Sequence, residues 1–77
     1  MESVELGAVI TLQETRTREA FSIQLVSPIE AGVLEGEIPK ISDESPLGKA
    51  VMGRKEGDEF KVTISENATD YILMAIE

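Results

Sequence analysis

Few residues in this chain have side chains that could carry out covalent chemistry. The 77 residues include no cysteine and no histidine. The chain alone therefore has no thiolate nucleophile, no cysteine-ligated zinc site and no imidazole base. Ser45 and Lys49 are four positions apart, whereas a nucleophile pair of the Ser-x-x-Lys type needs them one position closer. These residue types predict a protein that is not an enzyme.

Two pairs of adjacent carboxylates are the remaining groups that could bind a ligand, in this case a divalent cation. They are Asp43 with Glu44 and Asp58 with Glu59. Adjacent carboxylates more commonly lie near a helix start or in a solvated turn, and the spacing of an EF-hand loop is not present. We therefore predict neither a metal site nor a cofactor.

The charge of the chain argues against direct binding to nucleic acids. The formal net charge is −8 at pH 7, and phosphate contacts require Lys and Arg. Five of the seven basic residues nevertheless lie within or beside residues 41–62: Lys40, Lys49, Arg54, Lys55 and Lys61. A basic patch on an acidic body favours an acidic protein surface as the partner, although the same charges could simply solvate one face.

No segment of the sequence is typical of membrane insertion or export. No apolar run approaches the roughly 20 residues that span a bilayer. The N-terminus reads MESVELG and is acidic, unlike a signal peptide. The composition, 42% hydrophobic and 29% charged, is that of a globular protein. We expect one domain in the cytoplasm, without membrane contact.

Alternating hydrophobic residues predict two strands joined as a hairpin. The even positions of residues 4–12 are apolar, and residues 21–25 show a similar alternation. Gly7 interrupts the first strand and is typical of a bulge or a close backbone approach. Prolines and glycines between residues 27 and 40 predict an irregular loop, followed by a short strand at Ile41.

A short helix is predicted to begin after Ser45. Ser45 is a favourable N-cap, and Pro46 fits the first helical position, where its missing N–H costs nothing. Gly53 can end the helix in the left-handed conformation. Gly48 would cost about 1 kcal/mol relative to Ala inside a helix, so we expect a strand or a partner to approach its backbone. One face is apolar at helical spacing: Leu47, Ala50 and Val51.

The last third of the chain predicts two further strands. Gly57 allows a turn, and residues 60–64 alternate as a strand. The polar residues 65–70 are predicted to form a connection. Residues 71–76 are apolar on both faces, which is typical of an internal strand. Together the elements predict an α+β fold in which four or five mostly antiparallel strands wrap one short helix.

The sequence of residues 41–62 resembles a known signature. It reads ISDESPLGKAVMGRKEGDEFKV and is similar to the C-terminal domain of the bacterial Gre transcript-cleavage factors, GreA and GreB. Residues 27–31, SPIEA, resemble the P-x-E-A-D motif of that family, with Gly32 where the family has Asp. The resemblance covers nearly the whole chain, although SENATD at 65–70 replaces the P-x-G turn of the family.

The resemblance implies an FKBP-like fold that docks on RNA polymerase at the rim of its secondary channel. In this family a long N-terminal helical hairpin carries the acidic residues that assist transcript cleavage. Because this chain begins at its first strand, we expect that hairpin to be absent and the chain to be part of a longer factor, without cleavage-stimulating residues of its own. The implied contact residues are Ile41, Ser42, Ser45, Pro46 and Leu47, flanked by Glu30 and Ala31, with steering by Lys49.

The residues are also compatible with three other functions. An FKBP-like fold would allow a prolyl isomerase, although three aromatic residues are few for an apolar proline pocket. A domain of this kind could have changed its partner, as in proteins resembling the regulator of nucleoside diphosphate kinase. An exposed strand edge could also bind a different partner or a second copy of the chain.

Overall fold

The computed structural model describes residues 3–27 and 38–77 and, in those ranges, contains five strands and one helix. In chain order the elements are β1 (Val9–Glu14), β2 (Ala20–Val26), β3 (Lys40–Ser42), α1 (Pro46–Val51), β4 (Glu59–Ile64) and β5 (Asn67–Ile76). The strands form one sheet in the order β3-β2-β1-β5-β4, and every neighbouring pair is antiparallel except β2 with β3. The predicted α+β fold, mostly antiparallel with one short helix, is confirmed.

The first strand is shorter than the alternation of residues 4–12 predicted. The chain turns at Leu6 and Gly7, and Gly7 has a φ of +93°. Leu6 is 55% exposed and lies outside the core, so β1 begins only at Val9. The prediction of a strand over residues 4–8 is wrong because apolar residues at even positions can also flank a turn.

The predicted hairpin between the first two strands is confirmed. β1 and β2 are antiparallel neighbours, with Ile10 opposite Ile23. The turn between them leaves Arg16 and Arg18 exposed, as expected from their polar surroundings. Residues 10 and 23 both face the core, so the pairing register agrees with the hydrophobic pattern.

The last strand begins four residues earlier than predicted. Ser65 and Glu66 form a two-residue turn, and Asn67 already belongs to β5. Ser65 has a φ of +56°, which suits a tight hairpin. The polar residues 67–70 form strand because each pairs with a residue of β4, which overrides their weak strand propensity. β5 lies between β1 and β4, so the predicted internal position is confirmed.

The short strand predicted at Ile41 is also confirmed. β3 is parallel to β2, with Ile41 opposite Leu25 and Ser42 opposite Val26. The irregular loop predicted before it falls largely in residues 28–37, which lie outside the described residues.

The hydrophobic core lies between one face of the sheet and helix α1, which packs against β3 and β4. We call this side of the sheet the core face. A fully buried aliphatic side chain contributes about 1.5–3 kcal/mol to stability. The buried cluster contains Val4, Ala8, Ile10, Leu12, Ile23, Leu25, Val51, Phe60, Val62, Leu73 and Ile76. Within the described ranges, no helix is long and apolar enough to cross a membrane.

Candidate functional site

The segment that joins β3 to α1 is held by hydrogen bonds around Ser42. The Ser42 carbonyl accepts from the Ser45 amide at 3.1 Å and from Ser45 Oγ at 2.7 Å. The Ser42 Oγ accepts from the Glu44 amide at 3.0 Å. We call residues 41–49 the β3–α1 corner. Its backbone is held in place by its own side chains rather than by propensity alone.

The helix begins as the sequence predicts. Ser45 has extended backbone angles (φ −69°, ψ 159°), and its Oγ accepts from the Gly48 amide at 3.0 Å. Pro46 occupies the first helical turn. A serine N-cap of this kind stabilises a helix by about 1 kcal/mol relative to alanine. Because Ser45 Oγ also donates to Ser42, one hydroxyl joins the end of β3 to the start of α1.

Gly48 lies where only a glycine fits. A β-carbon at this position would overlap the Ser42 carbonyl oxygen and would lie 2.9 Å from the Asp43 α-carbon. The expectation that backbone approaches this glycine closely is therefore confirmed, and the approaching backbone is that of the corner itself. Glycine loses more conformational entropy than other residues when it enters a helix, and this cost is offset here by the close packing of α1 onto the end of β3.

The end of the helix is tied to the N-terminal residues. Gly53 has a φ of +81°, as expected for a residue that ends a helix. Its amide donates to the Val4 carbonyl at 3.0 Å, and the Val4 amide donates to the Arg54 carbonyl at 2.8 Å. Arg54 Nε donates to the Ala50 carbonyl at 2.8 Å, and the guanidinium lies 5.0 Å from the centre of the Phe60 ring. These two contacts hold the Arg54 side chain within the fold.

The predicted contact residues differ in how far they reach the surface. Pro46 and Lys49 are exposed. Ile41 and Leu47 are partly buried and pack against the core. Ser42 and Ser45 are also partly buried, and their oxygens form the hydrogen bonds of the corner. Glu30 and Ala31, the predicted flanking residues, lie outside the described residues.

The corner and its surroundings carry charges of both signs: Asp43 and Glu44 are acidic, and Lys49 and Lys55 are basic. Across residues 3–27 and 38–77, the one ion pair joins Arg16 to Glu14 at 3.9 Å. Lys49 and Lys55 are exposed, and none of the described carboxylates lies within ion-pair distance of them. Exposed cations of this kind contribute more to the rate and specificity of association than to folding.

A second surface feature was missed by the sequence analysis. The rings of Phe21 and Tyr71 lie 5.8 Å apart and those of Phe60 and Tyr71 lie 6.0 Å apart, so the three aromatic residues form one cluster. Beside it is a groove of about 260 Å³, lined by Val62, Ile64, Asn67, Thr69 and Tyr71. The sequence analysis assigned Val62, Ile64 and Tyr71 to strands but placed Asn67 and Thr69 in a connection. Alternation also could not show which end of the core face is uncovered.

The described residues offer no group that resembles a metal centre. Within those parts of the chain, no three Asp or Glu side chains converge closely enough to hold an ion. The Asp58 carboxylate instead accepts from the Lys55 amide at 2.9 Å, which is the local turn contact expected for a short acidic side chain.

The whole chain, including the corner, matches a known family of domains. The family model described as "Transcription elongation factor, GreA/GreB, C-term" matches residues 1–77. The chain belongs to the GreA/GreB C-terminal domain family. The resemblance seen in residues 41–62 is therefore confirmed, and membership of this family does not favour the prolyl isomerase alternative.

Relatives in the GreA/GreB family include factors of two kinds. The transcription inhibitor protein Gfh1 of Thermus aquaticus is 41% identical over 75 residues, which cover 97% of this chain and 47% of that protein. The transcription elongation factor GreA of Syntrophomonas wolfei is 38% identical over 74 residues, covering 96% and 45% respectively. Both relatives are transcription factors by name.

A solved structure of the transcription factor Gfh1 supports the fold assignment. It matches with a TM-score of 0.88 and 38% identity, over 100% of this chain and 49% of that chain. The present chain thus spans about half the length of these relatives. Membership of the GreA/GreB family identifies the chain as a Gre-like transcription factor domain.

Proposed function

We propose that this domain docks on bacterial RNA polymerase at the rim of the secondary channel, and that the β3–α1 corner makes the contact. The observation that carries the proposal is that the family motif coincides with a hydrogen-bonded corner from which Pro46 and Lys49 project into solvent. Relatives that are transcription factors support RNA polymerase as the partner. The cytoplasm, where that enzyme acts, is the location that fits this role.

The corner would bind through preorganisation. Its turn is closed by the Ser42 and Ser45 hydrogen bonds before any partner arrives, so little conformational entropy is lost on docking. Pro46 offers a rigid apolar ring, and it has no backbone N–H that needs a partner. Lys49 and Lys55 would guide the domain toward an acidic patch on the polymerase.

The proposed role is anchoring rather than chemistry. Among the described residues, no cluster of Asp and Glu side chains could hold a metal ion. The domain would hold a longer factor in place, and the activity of that factor would come from its other parts. Whether such a factor inhibits transcription, as the name of Gfh1 says, or supports elongation, as the name of GreA says, would then depend on those parts.

The test is binding of the labelled 77-residue chain to bacterial core RNA polymerase, with the Pro46→Asp variant measured in parallel. Pro46 is exposed, and an acidic residue in the first turn of a helix is favourable, so this variant keeps its stability. Leu47→Asp would be a poorer choice because Leu47 packs against the core. We expect saturable binding of the wild type and a Kd at least about tenfold higher for Pro46→Asp.

Ser65→Asp is the matched control. It adds the same charge in the β4–β5 turn, at a positive φ that Asp tolerates, and it should bind like the wild type. Absence of saturable binding by the folded wild type up to roughly 100 μM, a free energy of only about 5.5 kcal/mol, would overturn the docking proposal. Equal affinities for the wild type and Pro46→Asp would show that the corner does not make the contact.

A further inference from the structure

Gly48 lies between two exposed residues of the corner, Pro46 and Lys49. Pro46 precedes it by two positions and Lys49 follows it directly. Its α-carbon faces the end of β3, because a methyl group added there would meet the Ser42 carbonyl carbon at 3.0 Å and the Asp43 α-carbon at 2.9 Å. All the atoms in the way belong to the backbone. No side-chain rotation can relieve the overlap, so either the helix or the end of β3 would have to move.

Gly48 and Ser42 are also linked by hydrogen bonds through Ser45. The Gly48 amide donates to Ser45 Oγ, and Ser45 Oγ donates to the Ser42 carbonyl. Two features therefore set the distance between β3 and the first turn of α1. The Ser45 hydroxyl holds the two elements together by hydrogen bonds, and the missing β-carbon of Gly48 lets them approach this closely. A displacement of the helix would carry Pro46 and Lys49 away from the end of β3.

We propose that Gly48 is a positioning residue for docking, which sets where Pro46 and Lys49 stand relative to β3 and so determines affinity for the polymerase. This inference rests on the proposed function. Gly48 itself would touch no partner, because its residue is buried against Ser42. Gly48 acts by fixing the positions of Pro46 and Lys49, which would contact the partner as a rigid surface.

The stability of the Gly48→Ala variant gives a first test that needs no partner. Alanine is the better helix former, so the replacement stabilises an ordinary helix. Here we expect the midpoint of denaturant unfolding to fall, because the methyl group overlaps backbone. A midpoint that rises would show that the methyl group is accommodated, and it would overturn the inference.

Affinity in the folded state separates positioning from a merely structural role. We expect Gly48→Ala to raise the Kd for core RNA polymerase by at least about tenfold, measured where the variant is fully folded. The matched control is Ala50→Gly, which weakens the same helix without adding bulk and should stay within about twofold of the wild type. If Gly48→Ala is less stable but binds like the wild type, Gly48 serves folding alone and the inference is wrong.

A second variant decides the matter if Gly48→Ala does not fold. Ser45→Gly keeps a residue acceptable as an N-cap but removes the hydroxyl that joins Ser42 to Gly48. We expect it to fold and to bind more weakly than the wild type. Unchanged affinity would overturn the inference. Because the wild type is measured first, its failure to bind would instead overturn the proposed function.

Discussion

The two ends of the core face differ in how much apolar surface they expose to solvent. At the β3–α1 corner, the polar groups of Ser42, Ser45 and Gly48 bond to one another, and the hydrophobic side chains are turned inward. At the far end, Ile64 is 55% exposed and Phe21 is 37% exposed beside the aromatic groove. Exposed apolar area alone would select the groove as the functional site, whereas the family motif selects the corner.

The difference arises from the length of the helix. α1 has six residues and is about 9 Å long, whereas β5 has ten residues and extends at most about 30 Å. The helix can therefore cover only part of the core face. Burial follows this limit along β4, where Phe60 and Val62 are buried and Ile64 is not. Among the described residues, the exposed apolar end is thus a geometric consequence of a short helix, and it is weak support for a binding site.

The groove end should govern stability without affecting docking, and Tyr71→Ala should show the largest effect. Tyr71 contacts both other aromatic rings, so we expect the free energy of unfolding to fall by about 2–3 kcal/mol. Affinity for RNA polymerase, measured where the variant is folded, should not change. Tyr71→Phe keeps the ring and should remain near the wild type. A large loss of affinity in Tyr71→Ala would make the groove part of the interface.

The corner should affect both properties, and Ser45→Ala should show this. Loss of the N-cap should lower the free energy of unfolding by about 1 kcal/mol, and loss of the bond to Ser42 should weaken docking. Chemical denaturation and the binding assay measure the two effects. Ser45→Thr retains the hydroxyl and serves as the control. Weakened docking in Ser45→Thr equal to that in Ser45→Ala would mean that the hydroxyl is not what matters.

Electrostatic steering predicts an effect mainly on binding. Lys49→Glu should weaken docking by about three- to tenfold at low salt, with a smaller effect at high salt because ions screen exposed charges. Its free energy of unfolding should fall by no more than about 1 kcal/mol, because Lys49 lies in the last turn of α1, where a negative charge opposes the helix dipole. Lys61→Glu makes the same charge change at an exposed position of β4, and this variant should dock like the wild type. Equal losses in both variants would reveal a net-charge effect without a local patch.

The smallest effect is expected for Ile64→Thr at the open end. Ile64 is already 55% exposed, and threonine keeps the branched side chain that suits a strand. The free energy of unfolding should change by less than about 0.5 kcal/mol, and docking should be unaffected. Sedimentation at several concentrations adds a second readout. A self-association that is present in the wild type and lost in the variant would show that the groove binds a second copy.

The start and end of the helix were predictable because their signals are local. Ser45 and Pro46 mark a helix start from two adjacent positions, and the partner of the Ser45 hydroxyl lies only three residues away. Gly53 and Gly57 adopt the positive φ values that their surroundings demand, +81° and +92°. The alternation of residues 21–25 likewise needs no distant contact to be read as a strand.

The candidate site was predictable in position but only partly in role. The motif pointed to residues 41–49, and the structure shows Pro46 and Lys49 exposed there. It could not show that Arg54 is held by the Ala50 carbonyl and the Phe60 ring, because Phe60 reaches that place through the fold. Which corner residues touch a partner stays a prediction.

The sequence by itself determined the elements: the capped helix, the glycine turns, the alternating strands and the family motif, all of which act within a few residues. Tertiary structure alone decided that residues 67–70 pair as strand, that β3 runs parallel to β2, and that Ser42 fills the space beside Gly48. It also decided which end of the core face stays open. The physical reason is that these features depend on contacts between segments, which the propensities of single residues do not encode. The segments are distant in the chain for β2 with β3, and neighbouring for β4 with β5 and for Ser42 with Gly48.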